Sequence, residues 1–306
     1  MFAEERKMRN LMKYKIWYLV FSAVVILPGI VALLVWGLNM SVDFTGGSVF
    51  RYEFESGINP EDLRKVYLEK SIEVEAVVPE SGNKYSVRTK PVEPQRNNEI
   101  KEGVSAVFPN SKQLSFETVG PSIGAETTRS AFVALSWAVV GIMVYIAFAF
   151  RNVPKPYSSF RFGVSAVVAM LHDALVLVGL FAILGHFKNV EVDGLFITAV
   201  LTVLGFSVHD TIVVFDRIRE NLGKLPKVMD IEDVTNYSVA ETLSRSVATS
   251  LTVIFTLSAL YVLGGDTIKM FVLAMLVGII SGTYSSIFNA APVLVLWEKY
   301  AAKKNK

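Results

Sequence analysis

The chain has 306 residues, of which 52% are hydrophobic and 19% are charged, and its mean hydropathy is +0.44. A soluble domain of this length normally carries fewer apolar residues, so these values exclude a water-soluble globular protein and indicate an integral protein of a lipid bilayer. The net charge of +2 is uninformative, we expect no nucleic-acid partner, and the absence of cysteine excludes disulfides and thiol chemistry.

Six apolar windows, each of about 20 residues, predict six transmembrane helices, because that length crosses a hydrocarbon core of roughly 30 Å. The predicted spans are residues 16–38, 131–150, 162–184, 194–215, 247–264 and 270–297. The first span is too long for the apolar region of a signal peptide and lacks a convincing small-residue cleavage site. We therefore interpret it as a retained signal anchor.

Lysine and arginine are concentrated on alternate sides of the predicted spans, which sets the orientation because short cytoplasmic loops keep positive charge. The basic clusters comprise Arg6, Lys7, Arg9, Lys13 and Lys15; Arg151, Lys155 and Arg161; Arg217, Arg219, Lys224, Lys227 and Arg245; and Lys299, Lys303, Lys304 and Lys306. This pattern predicts a cytoplasmic N-terminus (1–15), a cytoplasmic loop (216–246) and a cytoplasmic C-terminus (298–306). Residues 39–127 then form an extracytoplasmic domain.

The extracytoplasmic domain shows the pattern strand, helix, strand, strand, helix, strand, which predicts an α+β ferredoxin-like fold. The predicted strands are residues 47–54, 72–78, 84–89 and 112–119, with a hairpin turn at Ser81-Gly82-Asn83. The helices are predicted from Asn59, a capping residue followed by Pro60, and over residues 92–107. No nucleotide fingerprint, metal-ligand cluster or catalytic triad is present, so we expect a binding role, no cofactor, no metal and no enzymatic activity.

Small and polar residues in the spans indicate how the helices pack, since lipid offers no hydrophobic drive between helices and close approach needs small side chains. Gly278 and Gly282 form one such site in the sixth span. Hydroxyl stripes follow spans five and six, at Thr249, Ser250, Thr252, Thr256, Ser258, Thr283, Ser285 and Ser286, with Asn289. These stripes indicate either an interior that water or ions reach or hydrogen bonding between helices alone.

Asp210 lies within the apolar fourth span, where a carboxylate costs roughly 2.5–3.5 kcal/mol on insertion scales and tends to mark an ion or proton path. Ser207 and Thr211 share its helix face, whereas His209 points elsewhere. Asp216 and Arg217 follow at the cytoplasmic surface, so Asp210 is expected roughly 9 Å deeper at 1.5 Å per residue.

Arg245, before the fifth span, is the candidate partner of Asp210, because an arginine that moves toward and away from a buried carboxylate can load and unload a proton. The alternative is a static ion pair that fixes helix register. For His172 and Asp173 in the third span, a structural role and a functional role are both open. Asp216 and Arg217 lie where charged residues are ordinary.

Four stretches of the chain resemble the SecF branch of the bacterial SecD/SecF family, within the resistance-nodulation-division superfamily. They are residues 41–47 (SVDFTGG, with Asp43, Gly46 and Gly47), 119–126 (VGPSIGAE), 171–173 (LHD) and 209–221 (HDTIVVFDRIREN). The last is long and highly specific, and the resemblance covers essentially the whole chain. It implies a six-helix half-transporter with a ferredoxin-like outer domain in the bacterial inner (cytoplasmic) membrane.

The resemblance also implies a role in protein transport. A SecF-like chain partners SecD and uses the proton-motive force to help draw a translocating preprotein out of the SecYEG channel, with ATP entering only through SecA. Matched by motif, Asp210 corresponds to the family's intramembrane aspartate and Arg245 to the arginine before the fifth helix.

Two alternatives belong to other functional classes. One is a proton-driven exporter of small molecules or lipids from the same superfamily, against which stand the small outer domain and the single six-helix unit. The other is a purely structural partner, in which SecD holds all the titrating groups. Co-purification with a larger homologous subunit favours the translocase, and binding of dyes or lipids in the bundle favours the exporter.

Overall fold

The computed structural model describes residues 10–80, 82–226 and 228–304. Several residues of the sequence predictions therefore lie outside the described part of the chain: Arg6, Lys7 and Arg9 of the N-terminal basic cluster, Ser81 of the hairpin turn, Lys227 and Lys306. The chain divides into two compact units. A helical unit comprises the described parts of Met1–Leu38, Leu135–Val190 and Leu195–Lys306, and a sheet unit comprises Asn39–Ala134 and Glu191–Gly194.

The elements follow the chain in this order: α1 (Lys15–Val35), α2 (Val42–Thr45), β1 (Gly47–Glu53), α3 (Pro60–Glu69), β2 (Val74–Pro79), β3 (Lys84–Thr89), α4 (Asn97–Val107), β4 (Lys112–Val119), α5 (Pro121–Ala149), α6 (Ser159–Lys188), α7 (Gly194–Lys224), α8 (Ile231–Leu263), α9 (Asp266–Ser285) and α10 (Ala291–Lys304). Short 3-10 helices cover Leu11–Tyr14 and Pro94–Arg96, and a π-helical turn covers Ser286–Ala290 between α9 and α10.

Six helical segments among the described residues are long and apolar enough to cross a membrane, which confirms the number of predicted spans. They are Leu11–Val35, Pro121–Ala149, Ser159–Lys188, Gly194–Lys224, Ile231–Leu263 and Asp266–Lys304. Each overlaps one predicted span, although the first helix ends at Val35, three residues before the predicted end, and the second at Ala149, one residue before it. The sixth is interrupted by the π-helical turn. The hydropathy of the sequence is therefore sufficient to locate the spans.

The predicted loop 216–246 is mostly helical, because α7 continues to Lys224 and α8 already begins at Ile231. Hydropathy windows end at charged residues, but a helix can continue into water when side chains three or four positions apart form ion pairs. Arg219 pairs with Asp216 at 2.5 Å in this way, and Lys224 pairs with Glu220. The charges that ended the predicted span thus extend the helix.

The sheet unit contains four antiparallel strands in the order β2-β3-β1-β4, and α3 and α4 fall between strands along the chain. β3 and β4 coincide with the predicted strands, whereas β2 is shifted toward the C-terminus by one to two residues. Asn59 caps α3 as predicted, since its side chain accepts a hydrogen bond from the N–H of Glu61 at 3.2 Å. The core includes Phe50, Tyr52, Leu63, Tyr67, Val87 and Ile100, all at most 1% exposed.

Glycines allow two close helix contacts inside the helical unit. A Cβ atom on Gly278 would lie 2.3 Å from Val203 on α7, and one on Gly282 would lie 3.1 Å from the Cβ of Ser207. The predicted small-residue site therefore brings α9 against α7. A second contact was not predicted: a Cβ on Gly29 of α1 would lie 2.9 Å from the Cα of Gly179 on α6.

Candidate functional site

Asp210 lies on α7 inside the helical unit and is only 7% exposed. Its Oδ2 atom accepts a hydrogen bond from the Oγ of Ser286 at 3.1 Å. Ser286 is the first residue of the π-helical turn, and such turns are frequent at functional sites because they redirect side chains locally. The carboxylate is thus buried on a membrane helix and bonded to a hydroxyl of the last span.

Ser207 and Thr211 share the buried face of α7 with Asp210, as predicted, but neither hydroxyl bonds to it. Thr211 donates to the backbone carbonyl of Ser207 at 3.0 Å, whereas the hydroxyl of Ser207 donates to Oδ2 of Asp173 at 2.5 Å. His209 lies on the exposed side of the helix. The polar face of α7 therefore contains the carboxylate of Asp210 and, through Ser207, also donates to the carboxylate of Asp173.

Asp173 on α6 is fully buried and has more polar partners than Asp210. Its Oδ1 accepts from Ser281 at 2.7 Å and faces Nδ1 of His172 at 3.0 Å, and its Oδ2 accepts from Ser207 and from Ser285 at 2.6 Å. Each of the two carboxyl oxygens thus has two polar partners. The geometry therefore places Asp173 at the centre of the polar cluster between α6, α7 and α9.

Two neighbouring serines of the last span connect the carboxylates to one point of the chain. Ser285 ends α9 and donates to Asp173, and Ser286 begins the π-helical turn and donates to Asp210. A Cβ on Gly282 would lie 3.6 Å from Oδ2 of Asp173, so the glycine leaves room for the cluster. Any shift of α9 at this turn therefore acts on both carboxylates.

Arg245 does not pair with Asp210 in this arrangement. Its side chain is exposed on α8, and within residues 10–80, 82–226 and 228–304 no ion pair includes it. The hydroxyls of Thr249, Thr252 and Thr256 follow on α8 and are also exposed, each donating to a backbone carbonyl of its own helix. The stripe predicted in span five therefore lies largely on the outside of this chain.

Asp216 and Arg217 form ion pairs beyond the apolar part of α7, as expected for a boundary. Arg217 binds Glu241 of α8 through Nε at 2.7 Å and through Nη2 at 2.8 Å, and it binds Glu220 at 2.7 Å. Asn221 also donates to Glu241, at 2.9 Å. These bonds join the last two turns of α7 to the N-terminal third of α8. They lie at least seven residues beyond Asp210 along α7.

Asp43, Gly46 and Gly47 lie in the sheet unit, where two of the resembling stretches meet. The carboxylate of Asp43 accepts from the backbone N–H of Gly194 at 3.1 Å. Gly46 and Gly47 have φ angles of 72° and 123°, which favour glycine. A Cβ on Gly124 would lie 2.8 Å from the nitrogen of Gly46, so the double glycine packs against the start of α5.

The described residues contain no group of three or more His, Cys, Asp or Glu side chains placed to hold a metal ion. The buried polar cluster around Asp173 and Asp210 consists instead of carboxylates, hydroxyls and the imidazole of His172. Such groups accept, donate and exchange protons. The fold and the site together define a multi-pass membrane protein with a buried, protonatable cluster between its spans.

The chain belongs to the SecD/SecF family. The family model described as "Protein export membrane protein SecD/SecF, C-terminal" matches residues 99–300, and the model described as "SecD/SecF GG Motif" matches residues 31–58. The second match contains Gly46 and Gly47, so the double glycine belongs to a family motif.

Curated relatives named as protein translocase subunits match this chain over nearly their whole length. The protein translocase subunit SecF of Thermobaculum terrenum is 46% identical, covering 95% of this chain and 94% of the relative. That of Anaerolinea thermophila is 39% identical, with the same coverage. The chain is therefore similar to multi-pass proteins of protein transport in bacterial membranes.

Longer relatives combine two names in one chain. The protein translocase subunit SecDF of Bacillus subtilis is 31% identical over 94% of this chain, which covers 38% of that protein. The crystal structure of SecDF from Thermus thermophilus superposes with a TM-score of 0.82 at 33% identity, covering 95% of this chain and 38% of that one. The fold is therefore that of one part of SecDF.

Proposed function

We propose that this chain is an accessory subunit of the Sec translocase that works with SecD. In this proposal it uses the proton-motive force to promote export of secreted polypeptides through the SecYEG channel after SecA-driven translocation. The observation that carries the proposal is the burial of Asp210 and Asp173 between membrane helices, bonded to hydroxyls of the last span. Buried carboxylates at such places tend to belong to ion or proton paths.

The exposed polar groups of α7 and α8 support an association with SecD. Arg245, His209 and the three threonines of α8 all face away from this chain's interior. Polar groups facing lipid are unfavourable, and small polar residues are typical of contacts between membrane helices. A second six-helix half, supplied by SecD, would cover this face and bring its own polar groups against it.

The proposed orientation places both termini in the cytoplasm of a bacterial inner membrane and the sheet unit outside. The distribution of lysine and arginine supports this orientation. We assign the sheet unit to the ferredoxin-like class, supported by its βαββαβ element order and its strand order β2-β3-β1-β4. On the outer side it would hold an emerging polypeptide by binding rather than by chemistry.

In the proposed cycle, Asp210 is the proton-exchanging group and Arg245 is its alternating partner. An ionised Asp210 attracts Arg245 toward the bundle, and a protonated Asp210 releases it to the exposed position that it occupies here. The Ser286 bond transmits the change to the π-helical turn. One proton crossing 100 mV supplies about 2.3 kcal/mol, so export of a long chain requires repeated cycles.

The test is proton-dependent export in inverted membrane vesicles that carry Asp210→Asn, Arg245→Met or both. We expect each variant to lose most of the proton-dependent part of export, to leave SecA-driven translocation intact and to retain co-purification with SecD. Asp216→Asn is the matched control, since this carboxylate of the same helix is half-exposed and pairs with Arg219. Normal proton-dependent export by Asp210→Asn contradicts the proposal, and lost assembly with SecD indicates a static ion pair instead.

A further inference from the structure

The connection between α6 and α7 belongs to the sheet unit, although both helices lie almost entirely in the helical unit. Val192 of this connection is only 1% exposed and forms a parallel bridge with Met40. Its N–H donates to the carbonyl of Asn39 at 2.8 Å, and its carbonyl accepts from the N–H of Ser41 at 2.9 Å. Residues 191–194, which we call the α6–α7 segment, are therefore paired with the chain that leads into the sheet.

Side chains hold the segment at both of its ends. At the first residue, Glu191 forms an ion pair with Nη2 of Arg88 at 2.8 Å, and the two side chains are only 20% and 19% exposed. The same Nη2 atom donates to the carbonyl of Met40 at 2.9 Å. At the last residue, the N–H of Gly194 donates to the carboxylate of Asp43 at 3.1 Å. Hydrogen bonds that involve an ionised group are stronger than neutral ones, so both ends are firmly attached.

The residues that hold the segment belong to the middle of the sheet or lead into it. Arg88 lies in β3, where it pairs with Val49 of β1, and these are the two inner strands of the order β2-β3-β1-β4. Asp43 lies in α2, four residues before β1 begins at Gly47. Inner strands are hydrogen-bonded on both sides, so a displacement of the segment acts on the whole sheet rather than on a free edge.

The segment ends where the helix of Asp210 begins. Gly194 is the first residue of α7, which continues as one helix to Lys224. Asp210 lies sixteen residues further along this helix (194 to 210), roughly 24 Å at 1.5 Å per residue. A hydrogen-bonded helix keeps its length when it shifts or tilts, whereas a flexible linker absorbs displacement. Because Gly194 belongs both to the segment and to α7, a shift of α7 reaches the segment directly.

The connection between α8 and α9 is built differently. It consists of Gly264 and Gly265, and both belong to the helical unit. A Cβ on Gly265 would meet nothing within 4 Å. The two connections lie on the same side of the membrane, since two spans, α7 and α8, separate them. They therefore form a matched pair, of which one is paired into the sheet unit.

We propose that the α6–α7 segment transmits the motion of α7 to the sheet unit, and that Asp43, Arg88 and Glu191 are the positioning residues of this link. The inference rests on the proposed function, since the motion is the one that proton exchange at Asp210 starts. A shift of α7 carries the segment with it, and the segment pulls on the inner strands. The sheet unit then changes its hold on an emerging polypeptide. A slack link leaves proton exchange intact and removes its effect on export.

The first test inserts two glycines between Gly194 and Leu195, which keeps every residue that holds the segment and lengthens its link to α7. Inverted vesicles with SecD, SecYEG and SecA carry the variant, and a pH-sensitive dye inside them reports proton flux during translocation. We expect unchanged proton flux and the loss of most of the proton-dependent part of export. The same two glycines inserted between Gly264 and Gly265 are the matched control and should leave both quantities unchanged.

The second test exchanges the charges of the ion pair. Glu191→Arg places two guanidinium groups together, so this variant should keep proton flux and lose proton-dependent export. Addition of Arg88→Glu restores opposite charges and should recover part of the export, although the bond from Arg88 to Met40 is not rebuilt. Export that stays as low with the exchanged pair as with Glu191→Arg alone would show that the ion pair is not part of the link.

Two results would overturn the inference while proton-dependent export by the unaltered chain still supports the proposed function. One is full proton-dependent export by the chain with two glycines after Gly194. The other is a joint loss of proton flux and export in that chain, which would place the segment in the proton path. Failure of the proposed function has a different signature, because Asp210→Asn would then keep both flux and export although the segment is intact.

Discussion

Ser207 of α7 and Asp173 of α6 are joined by a buried hydrogen bond of 2.5 Å. Both side chains are at most 1% exposed. The same carboxylate accepts from Ser281 and Ser285 of α9, so a single side chain ties three membrane helices together. Asp210, three residues after Ser207, is positioned by the helix that this bond holds.

Asp173→Asn should weaken the bundle although it preserves the shape of the side chain. An amide replaces one oxygen by an N–H₂ group, which cannot accept the hydrogen bonds that Ser207 and Ser285 donate. A buried donor without an acceptor costs about 1–3 kcal/mol. We expect a loss of this size in the free energy of unfolding, measured by denaturant titration of the purified chain in detergent micelles.

Ser165→Ala is the control for this prediction. Ser165 is also fully buried on α6, but its hydroxyl has no partner in the part of the chain that the structure describes. Removal of the hydroxyl should be neutral or slightly stabilising. Equal losses in Asp173→Asn and Ser165→Ala would show that the carboxylate is not the tie between the helices.

The place of Asp173 illustrates what sequence analysis could and could not predict. Hydropathy located the six spans, and helical spacing placed Ser207, Asp210 and Thr211 on one buried face, because both signals are local. The serine partners of Asp173 come from two other helices, α7 and α9, between 34 and 112 residues away in the chain. Nothing in the spacing of serines on one helix identifies the carboxylate of another, so this cluster could not be predicted.

The same limit applies to the π-helical turn and to Arg245. No residue type marks the turn at Ser286, although it aims that hydroxyl at Asp210. Arg245 is exposed on α8, which local spacing does not reveal, and its pairing with Asp210 stays a prediction. In the sheet unit, alternation and the Asn59 cap predicted most strand and helix positions, since short-range patterns determine them.

Gly29→Ala should force α1 away from α6. A Cβ there would lie 2.9 Å from the Cα of Gly179. Gly179→Ala on the facing helix would likewise place a Cβ 2.6 Å from the Cα of Gly29. Backbone atoms cannot move aside as a flexible side chain does, so overpacking should cost about 1–3 kcal/mol. The free energy of unfolding in micelles is the measurement.

Gly141→Ala on α5 is the matched glycine, because nothing lies within 4 Å of its added Cβ. Alanine favours the helix over glycine by up to about 1 kcal/mol. The control should therefore be neutral or stabilised. A Gly29→Ala variant that is as stable as Gly141→Ala would refute the close contact between α1 and α6.

Gly46→Ala should destabilise the sheet unit for two separate reasons. Its φ of 72° is unfavourable for a residue with a Cβ, and that Cβ would lie 3.0 Å from the Cα of Pro121. We expect increased proteolysis of the sheet unit in the full chain. Gly120→Ala, whose Cβ meets nothing within 4 Å, should resist the protease like the unaltered chain, and equal resistance of both variants would contradict the prediction.

Tyr52 and Tyr67 should make the sheet unit sensitive to alkali. Their hydroxyls lie 3.1 Å apart in the core. Burial raises the pKa of Tyr52 from 10.0 to about 12, against a smaller lowering by the Tyr67 hydrogen bond. Burial also raises the pKa of Tyr67, and the neighbouring Tyr52 adds to that rise.

The sign of the effect follows from linkage between protonation and folding. With a folded pKa above the unfolded one, the folded phenol keeps its proton where the unfolded chain loses it. The associated stability is fully present below pH 10 and is lost as the pH rises toward about 12. For Tyr52, two pKa units correspond to about 3 kcal/mol at 1.36 kcal/mol per unit.

The full chain is unfolded with denaturant at several alkaline pH values, and protease cleavage of the sheet unit reports the unfolded fraction. This titration measures the loss of stability. Tyr52→Phe should lower stability at neutral pH by about 1–3 kcal/mol, because the buried hydroxyl of Tyr67 loses the acceptor to which it donates. Above pH 10 the variant should then lose stability less steeply than the unaltered chain. Tyr300→Phe removes an exposed phenol of α10 and should leave the slope unchanged. Parallel slopes for the unaltered chain and Tyr52→Phe would mean that the buried phenols do not govern the alkaline unfolding of this unit.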